Sequence, residues 1–147
     1  SGRLTIPSQP AFFAGIGSNT DATFSINNFL PFNQTVLNTG NNFNTSTNRF
    51  TAPAAGRYFF SWQVFYTDSA GANYTQQTGL NVNGSYINFS GGDAFITTTN
   101  ASLSGPICFG ASAVINLAAN DVVGIMVRSA NARVYQGHCN FSGYLVG

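Results

Sequence analysis

Lysine and glutamate are absent from this chain. Its formal charges are five Arg and four Asp, and charged residues make up only 6% of 147 positions, against roughly 25% in typical soluble proteins. Without Lys or Glu, helical material is weak, because helices favour Ala, Leu, Lys, Glu and Gln. The net charge of +1 excludes a broad electrostatic partner such as a nucleic-acid backbone or an anionic membrane surface. So little charge also means little colloidal repulsion, and an exposed sheet would invite aggregation unless an oligomer hid it. Long apolar runs are missing too. No stretch nears the roughly 20 residues of a membrane helix, so no membrane insertion is expected. The most apolar segment, Phe50 to Tyr66, contains Pro53, Arg57, Ser61 and Gln63.

Asn, Ser, Thr and Gly carry the polarity instead, and aromatic residues reach 14%. These are strand and turn formers, so the expectation is an all-β chain. At 147 residues it is long enough for one domain with a proper core and too short for two. The two cysteines, Cys108 and Cys139, leave one disulfide or two thiols open, with free thiols favoured. Sequons begin at Asn33, Asn44, Asn73, Asn83, Asn88, Asn100 and Asn140. In so Asn- and Thr-rich a chain, several arise by chance and do not establish glycosylation.

Residues 1–10, with two prolines, read as an extended lead-in from a shaft or linker, and residues 11–147 as the globular domain. Ala11–Ile16 reads as a first short strand and Ser18–Asn28 as loop. Short strands and returns run from Phe29 to Gly56, followed by a long strand to Tyr66. Thr67–Thr78 reads as a polar loop. Asn83-Gly84, between Leu80–Val82 and Tyr86–Phe89, is the strongest local hairpin signal. Asp93–Pro106 reads as loop or edge. Later strands are expected to about Leu117, across Val122–Ser129, at Arg133–Gly137 pairing back on the preceding strand, and from Cys139 to the end. Strands spaced by turns every 8–12 residues indicate a sandwich or barrel, the jelly roll among them.

One spacing carries more. Phe32, Asn38, Phe43, Phe50 and Gly56 are followed by Tyr58, Phe60 and Trp62 at alternate positions. This pattern resembles the signature of the C1q-type globular head; Trp62 stands where that family usually has Phe or Tyr. The turn-Asp-strand element at Asn116–Val127, centred on Asp121, and the closing Phe141–Gly147 resemble the family's second half. The resemblance implies a ten-stranded jelly roll of two five-stranded sheets (C1q/TNF-like), a homotrimer, and recognition rather than catalysis. The lead-in is similar to the stretch joining shaft to head in tail-fibre and other virion proteins of bacteriophages, particularly marine ones. It implies an extracellular head on the virion surface that contacts a host-surface protein or glycan receptor. The alternatives are a secreted, non-viral C1q-domain ligand-binding protein and a purely structural trimerisation cap.

Strand alternation divides the long strand. Tyr58, Phe60, Trp62, Val64 and Tyr66 share a continuous apolar face and are expected in the core. Arg57, Phe59, Ser61, Gln63 and Phe65 share the other, which would expose two Phe side chains in a monomer; it is assigned to the trimer interface. No catalytic residues are expected, since His138, the single histidine, has no assembled nucleophile and orienting acid around it. Adjacent His138 and Cys139 face opposite ways in a strand and are poor joint ligands for one metal. No cofactor is expected either. Some heads of this type hold calcium near the trimer apex; the loop carboxylates Asp68 and Asp93 are the candidates, weighed against simple solvation. Asp121 is expected to cap its turn. Tyr74, Tyr86 and Phe95 are the aromatic candidates for ligand contact.

Overall fold

The computed structural model describes residues 8–18, 20–67, 75–89, 92–93, 95–99, 107–128 and 132–147. Among the described residues there is no α-helix. The strands are β1 (Ala11–Gly15), β2 (Asp21–Phe24), β3 (Gln34–Thr39), β4 (Phe43–Asn44), β5 (Arg49–Thr51), β6 (Gly56–Tyr66), β7 (Thr75–Val82), β8 (Ser85–Tyr86), β9 (Asn88–Phe89), β10 (Gly92–Asp93), β11 (Phe95–Thr99), β12 (Ile107–Leu117), β13 (Val122–Val127), β14 (Ala132–Tyr135) and β15 (Asn140–Leu145), with a 3-10 turn at Gln136–His138. Asparagine makes many of the turns between them. Asn27, Asn41, Asn48, Asn83 and Asn120 all take a positive φ, a conformation that Asn tolerates because its short amide bonds the local backbone.

Two antiparallel sheets form a sandwich. One runs β3-β1-β15-β6-β12 and the other β4-β5-β13-β7-β11. This is the ten-stranded jelly roll. Short additions border it: β8 pairs with β7, β9 with β10, and β14 joins β6 through Val134 opposite Tyr66 and carries β2 on its far side. The longest ladder joins β6 and β12 over eleven register pairs, from Gly56–Leu117 to Tyr66–Ile107.

The core is aromatic and bridges the sheets. Phe12 of β1 stacks on Phe43 and Phe50 of the opposite sheet at 4.7 and 5.1 Å, and meets Phe141 edge-on at 4.9 Å. Tyr58, Phe60, Trp62, Val64 and Tyr66 are all buried. The Trp62 Nε1–H donates across the core to Thr78 Oγ1 at 3.3 Å. Gly143 makes room for this packing: a Cβ there would lie 2.5 Å from the Phe60 ring and 2.9 Å from that of Phe12. The spaced pattern in the sequence thus has a physical content. Phe32, Phe43 and Phe50 are buried rings. Asn38 is different: its side chain accepts from the Phe43 N–H and donates to the Phe43 carbonyl, at 3.0 and 2.9 Å, closing the β3–β4 return with two bonds.

Two local expectations are revised. Ser18–Asn28 is not all loop, since it contains β2. Arg133–Tyr135 does not pair back on β13; it lies between β2 and the end of β6. Both departures share a cause. β2 is only four residues long, with just Ala22 and Phe24 half-buried, so its alternation is too short to read. Polar contacts far apart in sequence hold it: Arg133 Nη2 to Asp21 Oδ2 at 2.8 Å, and the Gln136 amide to the Thr20 carbonyl at 3.1 Å. The segment read as loop or edge at Asp93–Pro106 contains β11, an edge strand, and the polar loop read at Thr67–Thr78 ends inside β7.

Candidate functional site

The outer face of the long sheet is built row by row from the β6 register. Because the even-numbered side chains of β6 fill the core, Arg57, Phe59, Ser61, Gln63 and Phe65 point away from it. Their neighbours on β12 are Asn116, Val114, Ser112, Gly110 and Cys108. On the other side, Tyr144 lies opposite Phe59, Ser142 opposite Ser61 and Asn140 opposite Gln63. Farther out, Phe13 opposes both Ser142 and Leu37. Within these rows the only charge is Arg57.

The rows differ in character. In one, Phe59 leans on Tyr144 at 5.2 Å beside Val114. In the next, a band of hydroxyls (Ser142, Ser61, Ser112) is flanked by Phe13 and Leu37. Val114 is 59% exposed, Leu37 48%, Tyr144 46% and Phe13 40%. At the far end, Phe65 is enclosed by its own chain: Tyr135 packs edge-on at 6.1 Å and His138 at 5.1 Å. The expectation that a monomer would expose Phe59 and Phe65 is therefore met only in part. Both are half-buried, because β15, β14 and the 3-10 turn supply rings that sequence distance conceals. Sequence reasoning missed Val114, Tyr144, Phe13 and Leu37. The signal was the register of β12 and β15 on β6, which alternation within one strand cannot supply.

The remaining candidates scatter. Asp68 and Tyr74 lie outside the described residues. Asp93 sits in β10 opposite Asn88, and Phe95 opens β11 opposite Gly79; their side chains are not among those described. Tyr86 is built into the second sheet: its hydroxyl donates to the Val127 carbonyl at 3.0 Å, and Arg128 covers its ring at 4.4 Å. A second guanidinium, Arg49, covers Phe29 at 3.8 Å. Asp121 accepts from the Ala118 N–H at 2.7 Å across its turn. Among the described residues, no group of three or more His, Cys, Asp or Glu side chains could hold a metal ion.

His138 ends the 3-10 turn and is exposed, while Cys139 is buried. They diverge through this turn rather than through a strand. Both cysteines are free, with Cys108 exposed. Burial pushes the Cys139 thiol up to about 11, so it stays protonated and inert at neutral pH.

An antiparallel jelly roll with these two sheet orders defines the class: a C1q/TNF-like sandwich. Solved structures agree. The chain is similar to the globular domain of zebrafish complement 1qA protein (TM-score 0.66, 18% identity, 95% of this chain and 98% of that one). It is also similar to Eiger TNF from S. frugiperda (TM-score 0.71, 12% identity, 95% and 94%) and to murine APRIL (TM-score 0.59, 14% identity, 93% and 98%). At these identities the likeness concerns the fold alone. No curated protein matches the chain in sequence. The model of the C1q domain matches residues 11–146, and the chain belongs to that family. Domains of this family are typically extracellular, trimeric ligand-binding or structural modules rather than enzymes. No described helix is long and apolar enough to cross a membrane.

Proposed function

We propose that this chain is a trimeric, non-enzymatic recognition head, the distal receptor-binding or adhesion module of a phage fibre or related virion appendage. The observation that carries the assembly is the outer face of the long sheet. It presents Phe13, Leu37, Val114 and Tyr144 partly bare around small hydroxyl side chains, with one charge in its rows. Interfaces between copies have this character: apolar at the centre and depleted in charge. Three joined copies raise avidity for a host-surface protein or glycan without new chemistry.

The virion setting rests on the residues 1–10 lead-in and on a Lys-free, Asn/Thr-rich composition. A secreted, non-viral ligand-binding head is the runner-up, favoured by family membership. A purely structural cap on a trimeric shaft is the third reading. A glycan array with a host-cell binding assay separates the first two from the third: no binding by an intact trimer leaves the cap. The sequence upstream of Ser1 separates the first from the second, since shaft repeats belong to a fibre and collagen or a signal peptide to a secreted protein.

A further inference from the structure

Asn83-Gly84 is more than a hairpin turn. Both residues take left-handed backbone, φ 52° and 87°, and Asn83 is exposed at the surface. An Asn followed by Gly is chemically labile. The Gly84 backbone nitrogen attacks Asn83 Cγ, the C–N bond to the side-chain nitrogen breaks, and ammonia leaves. Water then opens the resulting succinimide to Asp or isoaspartate. Glycine offers no side chain to hinder the attack. The step needs a free Gly84 nitrogen and an Asn83 amide able to swing towards it.

The fold removes both. The Gly84 N–H donates to Asn81 Oδ1 at 2.9 Å. The Asn83 amide is held at each end: Nδ2 donates to Asp121 Oδ1 at 2.7 Å, and Oδ1 accepts from the Val122 N–H at 2.9 Å. The Asn83 N–H in turn donates to the Val122 carbonyl at 2.9 Å. Asp121 is itself fixed through Oδ2 by the Ala118 N–H at 2.7 Å. The turn after β7 and the turn before β13 are therefore clasped together by one neutral amide and one carboxylate.

We propose that Asn83 is a latent deamidation site held shut by the Asp121 clasp, and that its conversion opens the clasp. The product places a second carboxylate against Asp121 where an N–H donor stood. The hydrogen bond is lost and like charges replace it, at a separation where repulsion is strong. Isoaspartate would also add a backbone atom to a tight turn. Conversion thus uncouples the two turns and cannot be reversed by refolding. The inference is independent of what the head binds.

The test is mass spectrometry of the full chain aged in mildly alkaline buffer, with chymotryptic peptides localising the replacement of NH2 by OH. In the folded protein Asn83 should convert ~10-fold or more slowly than in the same chain held unfolded in denaturant, because reaction must wait for local opening. Asp121→Ala should recover most of that gap, while the rate at exposed Asn33 should not change. Equal folded and unfolded rates at Asn83 would overturn the proposal, whether or not Asp121→Ala folds. The consequence has its own readout. Asn83→Asp, the chemical product made by substitution, should melt at lower temperature than the unsubstituted chain, and an unchanged melting temperature would refute the coupling of the two turns.

Discussion

Val114→Asp separates assembly from folding. Val114 sits on the outward side of β12 beside Phe59 and is 59% exposed in the single chain. Full burial of a Val side chain is worth about 1.5–3 kcal/mol, so covering its bare part in an interface contributes on the order of 1 kcal/mol. In a symmetric trimer the loss occurs in every subunit, about 3 kcal/mol in all, or on the order of 100-fold in the dissociation constant. A carboxylate buried there without a partner adds several kcal/mol per ion. The same change in the isolated chain replaces one solvent-facing side chain by another and costs roughly 1 kcal/mol or less of strand preference. The variant should therefore fold, with the far-ultraviolet spectrum and buried Trp62 emission of the parent, yet sediment as a monomer where the parent is a trimer. Val36→Asp is the matched control. Val36 is 84% exposed, but it is the extra residue at the irregularity between β1 and β3, opposite no residue of β1. Sedimentation velocity across nanomolar to micromolar concentrations reads all three proteins. A parent that stays monomeric at micromolar concentration, or a Val114→Asp protein that assembles like the Val36→Asp control, would refute the argument.

Other outcomes follow from the same contacts. Phe65→Ala should lower the denaturant midpoint by an amount corresponding to about 2–3 kcal/mol, because Phe65 loses ring contacts with Tyr135 and His138 inside its own chain; a change in assembly with unaltered monomer stability would contradict this placement. Asn38→Ala removes both bonds to the Phe43 backbone and should cost about 2 kcal/mol, measured by urea unfolding. Thiol titration of the native protein should show Cys108 reacting and Cys139 silent, with both reacting in denaturant. Since burial raises Cys139 from 9.0 to about 11 in the fold, the neutral thiol's contribution is complete below pH 9 and is lost as the pH climbs through about 11. Stability should fall over that window by about 2–3 kcal/mol, and Cys139→Ala should flatten that part of the profile.

How legible this was in the sequence depends on the range of the interaction. The β6 alternation identified the buried side of that strand, because period-two patterning is local. Asn83-Gly84 announced its hairpin for the same reason. β2 offers only Ala22 and Phe24 on its inward side, too short a run to announce a strand; an ion pair between Asp21 and Arg133, 112 residues apart, helps hold it in the sheet. The outer face was half legible. Phe59 and Phe65 could be assigned to the side away from the core, but their unequal environments depend on Tyr144, Tyr135 and His138. Those residues reach β6 through sheet register and a 3-10 turn, neither of which leaves a local pattern.

Charge poverty now has a structural counterpart. Charged side chains normally do three jobs on a β-sandwich: they solvate turns, protect sheet edges and repel stray copies. Here asparagine takes over the first job, since five left-handed turn positions are Asn, and amides at Asn38, Asn44 and Asn83 bond the backbone of neighbouring turns. The second job is left open at β3, an edge strand with no charged residue between Gln34 and Thr39. On the reading proposed above, the third is not merely left undone on the outer face of the long sheet but reversed, because bare Val114 and Tyr144 beside neutral hydroxyls would attract a like surface. A chain that relied on like-charge repulsion to remain single would not be composed this way. Adding Lys or Glu to the rows around Phe59 should therefore weaken self-association before it harms the fold, whereas the same residues placed at Val36, the extra residue of the β3 irregularity, should improve solubility and leave assembly intact.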